Sequence, residues 1–124
     1  MELSINDLKQ LICPDSKDIK ENKVSGEPFI GEYVIIRTYS AGVFAGTLEQ
    51  KAGKEVILSN ARRLWRWHAK EGVSLSSVAV HGINTSKSKI CEPVDSIWLE
   101  AIEIIPTSKK SQEAIEGAAN ARAQ

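Results

Sequence analysis

The chain has 124 residues, of which 42% are hydrophobic and 26% are charged, and its 16 basic residues balance its 16 acidic ones. This length and composition fit one soluble folded domain, and the neutral balance argues against broad nucleic-acid binding, which depends on a basic surface. No apolar run is long enough to cross a membrane. The chain also contains no Walker loop, HExxH or GxSxG motif, so the common motif-bearing enzyme classes are not indicated.

Two cysteines and two histidines offer little for metal or catalytic chemistry. Cys13 and Cys91 form no CxxC pair, and His68 and His81 lie far from both in sequence. A metal site needs three or four such ligands at suitable geometry. Neither histidine has a nucleophile or a carboxylate partner in a recognisable motif. We therefore expect no metal, no cofactor and no enzymatic activity, and the lack of a signal peptide favours reduced thiols in the cytoplasm.

The N-terminal residues predict a short helix. Ser4 and Asp7 have the spacing of a capping box, with Asp in place of the usual Glu or Gln. Leucine and isoleucine follow at helical spacing until Pro14 ends the pattern. This indicates a helix over about residues 5–13, followed by a polar and irregular linker.

Three strands are predicted after the linker. β-branched and aromatic residues dominate residues 33–39, and residues 40–42 should turn the chain. Residues 43–50 have the pattern of a second strand. A hairpin turn at residues 51–54 should lead into a third, short strand at residues 55–59.

The most unusual stretch is NARRLWRWHAK, residues 60–70, which holds three arginines, one lysine, one histidine and two tryptophans but no acidic residue. A helix would align Arg62, Trp65 and Arg66. The β-formers upstream and the two tryptophans at i and i+2 favour a strand instead. One face of that strand would carry Ala61, Arg63, Trp65 and Trp67. The other face would carry Arg62, Leu64, Arg66 and His68.

A helix, a strand and a second helix are predicted in the last third. Residues 72–82 have the pattern of a two-turn helix, with Ser74 as N-cap and Gly82 in a left-handed position at its end. The apolar stripe of that helix would be Leu75, Val78 and Ala79. After a polar connection, residues 96–105 predict one final strand. Residues 108–117 predict a terminal helix with a fraying alanine-rich tail.

These elements define an α+β class, an antiparallel sheet of four or five strands with short helices at both termini and between strands. We divide the chain into an N-terminal helix and linker, residues 1–30, and a single ligand-binding domain, residues 31–124.

Arginine and tryptophan together suit a ligand with phosphate groups and a flat ring. The guanidinium is a planar fork that matches phosphate oxygens, and tryptophan or tyrosine stacks on nucleobases. We expect Arg37, Arg62 and Arg63 to bind such a ligand and to be dispensable for folding. The alternative is that the tryptophans belong to the core and the arginines form a solvated face. The residues alone leave both possibilities open.

Several sequence blocks resemble a family of small phage and prophage proteins that includes sponges for cyclic ADP-ribose signals of Thoeris defence. The blocks are RTYSAGV at 37–43, NARRLW at 60–65, LSSVAVHG at 75–82, SKSKICEPV at 86–94 and EAIEIIP at 100–106. The resemblance implies capture of cyclic ADP-ribose isomers without degradation, and in some members of cyclic di- or trinucleotides. It also implies homo-oligomers, dimers that assemble into hexamers, in the host bacterial cytoplasm, with no membrane or DNA partner.

Matching the blocks residue by residue yields the candidate ligand-binding set. Its members are Arg37, Tyr39, Ser40, Gly42, Asn60, Arg62, Arg63, Trp65, His81, Lys87 and Lys89. His81 stands where the resemblance implies an aromatic ring. A different function remains open, that of a small phage interaction protein whose basic-aromatic strand is an oligomer or host-protein interface, because Trp, Tyr and Arg are also frequent interface hot spots.

Overall fold

The computed structural model of the chain describes residues 28–122. The helix predicted over residues 5–13 lies outside these residues. The elements are β1 (Tyr33–Arg37), β2 (Val43–Ala52), β3 (Glu55–Arg66), α1 (Leu75–His81), β4 (Lys89–Ile90), β5 (Val94–Glu100), β6 (Glu103–Pro106) and α2 (Lys109–Glu116). The predicted α+β class with an antiparallel sheet is confirmed, and the sheet has six strands.

The sheet curls, because β5 and β6 follow each other in the chain and yet lie at its opposite edges. Its order is β4-β3-β2-β1-β6, and β5 pairs with the first half of β3 while β4 pairs with the second half. Only Ala101 and Ile102 separate β5 from β6, so the two edges must approach each other. A cluster of buried apolar side chains fills the concave side, including Val34, Phe44 and Leu58.

The single strand predicted over residues 96–105 is wrong, because β5 and β6 divide this run. The backbone N–H of Ala101 donates to the Lys54 carbonyl at 2.8 Å, and that of Ile102 donates to the Arg37 carbonyl at 2.8 Å. These bonds turn the chain from one sheet edge to the other. The residue pattern hides the turn because the run contains neither glycine nor an internal proline.

Both helices cover the convex side of the sheet, where a second cluster includes Tyr33, Leu64, Val78 and Ile115. Helix α1 confirms its prediction closely. Its N-cap Ser74 accepts a hydrogen bond from the Ser77 N–H, Gly82 follows with φ of 95°, and the buried residues are Leu75, Val78 and Ala79. Helix α2 begins after the N-cap Ser108 and confirms the predicted terminal helix.

The predicted fraying of the tail is wrong as far as residue 122. The backbone N–H of Ala121 donates to the Ile90 carbonyl at 2.8 Å, and Asn120 forms a bridge with Ile90. The tail therefore lies along β4. Alanine-rich composition indicates weak side-chain packing, but it does not report backbone hydrogen bonds of this kind.

Candidate functional site

The basic-aromatic stretch opens with a bulge that decides where its side chains point. Asn60 has a left-handed φ of 49°, and the pairing of β2 with β3 shifts register beside it. Before the bulge Val56 and Leu58 face the concave core, whereas after it Ala61 does. A bulge adds one residue and so reverses the alternation of side chains. Asn60 therefore has a backbone role in aiming Arg63 and Trp65.

Gly46 on β2 allows the two strands to approach at this bulge. A Cβ atom at Gly46 would lie 2.9 Å from the Ser59 carbonyl oxygen and 3.1 Å from the Cα of Ala61. Real Cβ atoms essentially never come so close to backbone oxygen. Glycine is thus required opposite the bulge, and the sequence pattern gives no sign of this close approach.

The bulge builds a cleft that we call the Arg63 cleft, with a volume of about 340 Å³. It is lined by Phe44, Ala61, Arg63, Trp65, Cys91, Glu92, Val94 and Ile97. The guanidinium carbon of Arg63 lies 4.7 Å from the centroid of the Phe44 ring, which is within cation–π range. Trp65 is 68% exposed. The cleft therefore combines a cation, an accessible indole and an apolar floor, with Glu92 as an acidic group.

Arg62 lies in the interior, and this corrects the prediction that it binds a ligand and is dispensable for folding. It is 3% exposed. Its Nε donates to the Cys91 carbonyl at 2.8 Å, and Nη1 donates to the carbonyls of Ile115 at 2.8 Å and Ala118 at 2.7 Å. Nη2 donates to Oδ1 of Asn120 at 2.8 Å. The guanidinium thus donates to carbonyls at and just beyond the C-terminal end of α2, where a helix runs short of its own backbone donors.

A second cleft, the Tyr39 cleft, lies on another part of the surface and has a volume of about 460 Å³. It brings Tyr39 and Ser40 together with Lys54, Trp98, Glu100 and Ile102. Gly42, with φ of 99°, shapes the turn that carries Tyr39. The Thr38 hydroxyl stabilises the same turn, because it donates to the Gly42 carbonyl at 2.8 Å and accepts from the Ala41 N–H at 2.9 Å.

The other predicted site residues do not line either of these clefts. Arg37 forms an ion pair with Glu103 on β6, with 2.7 Å between Nε and Oε1. His81 lies at the end of α1, with 3.9 Å between its Nδ1 and a carboxylate oxygen of Glu71. Lys87 lies in the turn before β4, and Lys89 lines a separate cleft against the tail. The structure therefore separates residues that the sequence blocks grouped together.

Sequence reasoning missed both the floor of the Arg63 cleft and half of the Tyr39 cleft. Phe44, Val94 and Ile97 have no signal that distinguishes them from core residues. The sequence pattern also does not mark Trp98 or Lys54 as site residues, although Trp98 is 56% exposed and forms a cross-strand pair with Ile57. An exposed tryptophan indicates a binding surface, but the sequence does not show which tryptophan is exposed.

Metal binding and membrane insertion each need a specific arrangement of residues. Within residues 28–122, no three His, Cys, Asp or Glu side chains lie close enough together to hold a metal ion. Over the same range, no helix combines the length and apolar character needed to cross a membrane.

Comparison with known proteins identifies the family of the chain. The profile described as a domain of unknown function (DUF6948) matches residues 31–115, well over half of the chain. Neither curated proteins nor solved structures give a significant match. The matched range contains β1 to β6 and nearly all of α2. The chain therefore belongs to the DUF6948 family.

Proposed function

We propose that this protein binds an anionic nucleotide signal of the cyclic ADP-ribose type in the Arg63 cleft and holds it without chemical change. In this proposal it acts as a phage anti-defence sponge in the cytoplasm of the host bacterium. The observation that carries the proposal is the placement of the Arg63 guanidinium and the exposed Trp65 indole on one cleft above an apolar floor.

The chemistry of the cleft matches the parts of such a ligand. Arg63 can donate two parallel hydrogen bonds to phosphate oxygens, because its guanidinium is a planar fork. Trp65 offers a ring face on which a nucleobase can stack. Glu92 can accept hydrogen bonds from ribose hydroxyls or from an exocyclic amine. Phosphate, base and sugar would each meet a suitable group.

The residues that line the Arg63 cleft favour binding of the ligand over its chemical conversion. Among the residues 28–122 that line it, Glu92 is the only carboxylate, Cys91 is the only thiol, and none is a histidine. General acid–base catalysis usually needs a positioned histidine or a pair of carboxyl groups with different pKa values. This composition supports binding without cleavage.

The size and openness of the cleft support a homo-oligomer. A volume of about 340 Å³ is near the lower limit for small-molecule sites, which span roughly 300–1,000 Å³. A second copy placed over the exposed Trp65 would enclose more of the ligand. We propose a dimer-based hexamer, and light scattering that shows a strict monomer at micromolar concentration would contradict it.

Calorimetric titration with cyclic ADP-ribose isomers tests the site directly. Arg63→Ala should weaken binding roughly tenfold to a hundredfold, since a charge-assisted hydrogen bond contributes about 1.5–3 kcal/mol. Arg63→Lys should restore part of the affinity, because an ammonium cannot grip two phosphate oxygens as a planar fork does. Arg66→Ala is the matched control, since it removes an exposed arginine from the same strand but not from the cleft.

The same titration separates the proposal from its rivals. Release of intact ligand after heat denaturation supports a sponge, and a degraded ligand identifies an enzyme. Parallel titrations with cyclic di- and trinucleotides test the broader ligand range. Equal binding by the parent and Arg63→Ala would contradict the Arg63 cleft as the site.

A second candidate function, an interaction protein, is favoured by the Tyr39 cleft. Tyr39 is 90% exposed and Trp98 is 56% exposed, and both ring types are frequent hot spots of protein interfaces. If this surface joins copies of the chain or a host protein, Trp98→Ala should disrupt the assembly and leave nucleotide binding in the Arg63 cleft unchanged. Light scattering of that variant, with titration alongside, distinguishes the two functions.

A further inference from the structure

The buried Arg62 connects the Arg63 cleft to the C-terminal tail, which lies beyond the family match that ends at residue 115. We propose that Arg62 and residues 118–121 form a latch that holds the two walls of the Arg63 cleft at their binding distance. Arg62 is thus a positioning residue rather than a ligand contact. The effect of the latch on affinity rests on the proposed function, whereas its effect on the cleft walls does not.

One half of the latch holds the cleft wall that faces Arg63. Cys91 lies on that wall beside Glu92. Its backbone N–H donates to the carbonyl of Arg63 at 2.9 Å, and its carbonyl accepts from Nε of Arg62 at 2.8 Å. Arg62 and Arg63, which are consecutive in β3, therefore hydrogen-bond both backbone polar groups of Cys91. If Arg62 releases its bond, the wall remains joined to β3 at this residue through one hydrogen bond.

The other half of the latch ties Arg62 to the tail. Nη1 donates to the Ala118 carbonyl at 2.7 Å, and Nη2 donates to Oδ1 of Asn120 at 2.8 Å. The next residue, Ala121, donates its N–H to the carbonyl of Ile90 at 2.8 Å. Ile90 directly precedes Cys91 in the chain. The connections therefore form a closed circuit from β3 through the tail and back to the cleft wall.

Arginine is the residue type that this circuit needs. Its fork presents donors toward three separate segments at once, the cleft wall, the end of α2 and the tail. The carbonyls at the C-terminal end of a helix carry partial negative charge, which stabilises a buried cation. Lysine has one ammonium on a flexible stem and cannot reach all three segments together.

Hydrogen exchange of single backbone amides tests the latch without any ligand. In Asn120→Ala and in Arg62→Lys, the Cys91 amide should exchange about tenfold faster than in the parent, because one lost hydrogen bond shifts a local opening by roughly this factor. The amide of Leu48, which donates to the Glu32 carbonyl and takes no part in the circuit, should stay within about twofold. Arg122→Ala is the matched control, since Arg122 belongs to the tail but not to the circuit.

Titration with a cyclic ADP-ribose isomer then asks whether the latch matters for binding. Asn120→Ala should bind about threefold to tenfold more weakly, while Arg122→Ala should bind like the parent. Truncation after Gly117 should give a loss at least as large as Asn120→Ala. An unchanged Cys91 amide in both latch variants, or an equal acceleration at Leu48, would overturn the latch. Absence of binding by the parent would contradict the proposed function, and the exchange measurement would still decide the latch.

Discussion

Arg62 and Arg63 are neighbours on β3, yet they belong to two different regions of the molecule. Arg62 faces the helix-covered side and donates its guanidinium hydrogens to α2, the tail and the Cys91 carbonyl. Arg63 faces the open side, lies over the Phe44 ring and lines the cleft with Trp65. Arginine thus stabilises the fold at position 62 and belongs to a candidate binding surface at position 63.

The role of each arginine therefore depends on whether other segments cover its side chain, and not on the residue type. A strand presents successive side chains to opposite faces. On the convex side the end of α2 supplies carbonyls that need donors, and on the concave side the sheet ends in an open cleft. Replacements that act on one side and leave the other unchanged test this difference between the two sides.

The largest expected effect is on the helix-covered side. Arg62→Ala should lower the free energy of unfolding by about 3–5 kcal/mol, because it removes all the guanidinium hydrogen bonds that join β3 to the Cys91 carbonyl, the end of α2 and the tail. Arg63→Ala should cost about 1 kcal/mol or less, the size of one exposed cation–π contact. Urea unfolding of both variants gives the two values. Similar losses for the two variants would show that Arg62 contributes no more to folding than Arg63.

The next effect is on ligand binding by the open side. Trp65→Ala should weaken binding of a cyclic ADP-ribose isomer by about 1–3 kcal/mol, the contribution of one base–aromatic stack. Its free energy of unfolding should change little, because the indole is 68% exposed. Titration and a melting curve for the same variant check both parts. A large drop in melting temperature would indicate that Trp65 supports the fold.

Gly46→Ala should act on both sides at once. Its new methyl would meet the Ser59 carbonyl oxygen at 2.9 Å, so β2 and β3 must separate beside the Asn60 bulge. Overpacking of this kind costs about 1–3 kcal/mol. We expect a lower urea midpoint together with weaker binding, whereas Thr47→Ser at the neighbouring position should affect neither. A variant that is destabilised but binds normally would show that the bulge does not orient Arg63 for binding.

The smallest change in the free energy of unfolding is expected for Tyr33, on the helix-covered side. Its hydroxyl is buried and finds no hydrogen-bond partner among residues 28–122. Tyr33→Phe removes this group, so the free energy of unfolding should rise by about 1 kcal/mol. Urea midpoints at neutral pH measure the gain, and Tyr39→Phe, which alters an exposed ring, should change nothing.

The loss of stability at alkaline pH gives a second test of Tyr33. Burial raises the pKa of Tyr33 above its ordinary value, and the nearby Glu116 carboxylate adds to that rise. Above about pH 10 the unfolded chain ionises this tyrosine while the folded chain does not, so stability falls as pH rises. Tyr33→Phe should lose less stability than the parent between about pH 9 and pH 11. Equal losses would show that Tyr33 does not titrate differently in the two states.

Much of the fold could be predicted because local patterns decided it. Helix α1 has its N-cap, its apolar stripe and its terminal glycine within eleven residues, so no distant contact is needed to recognise it. The strands β1 and β2 have the same advantage. The division between β5 and β6 could not be predicted, because the turn depends on hydrogen bonds to Lys54 and Arg37, which lie far away in sequence.

The residue order alone places Arg62 and Arg63 on opposite faces of an extended chain, with Trp65 on the same face as Arg63. This follows from the period of a strand, which is a local property. Which face α2 and the tail cover, and so which arginine is buried, depends on how distant segments pack in the folded chain. The physical reason is that burial and hydrogen-bond partners come from segments more than 50 residues away, such as Ile115 and Asn120.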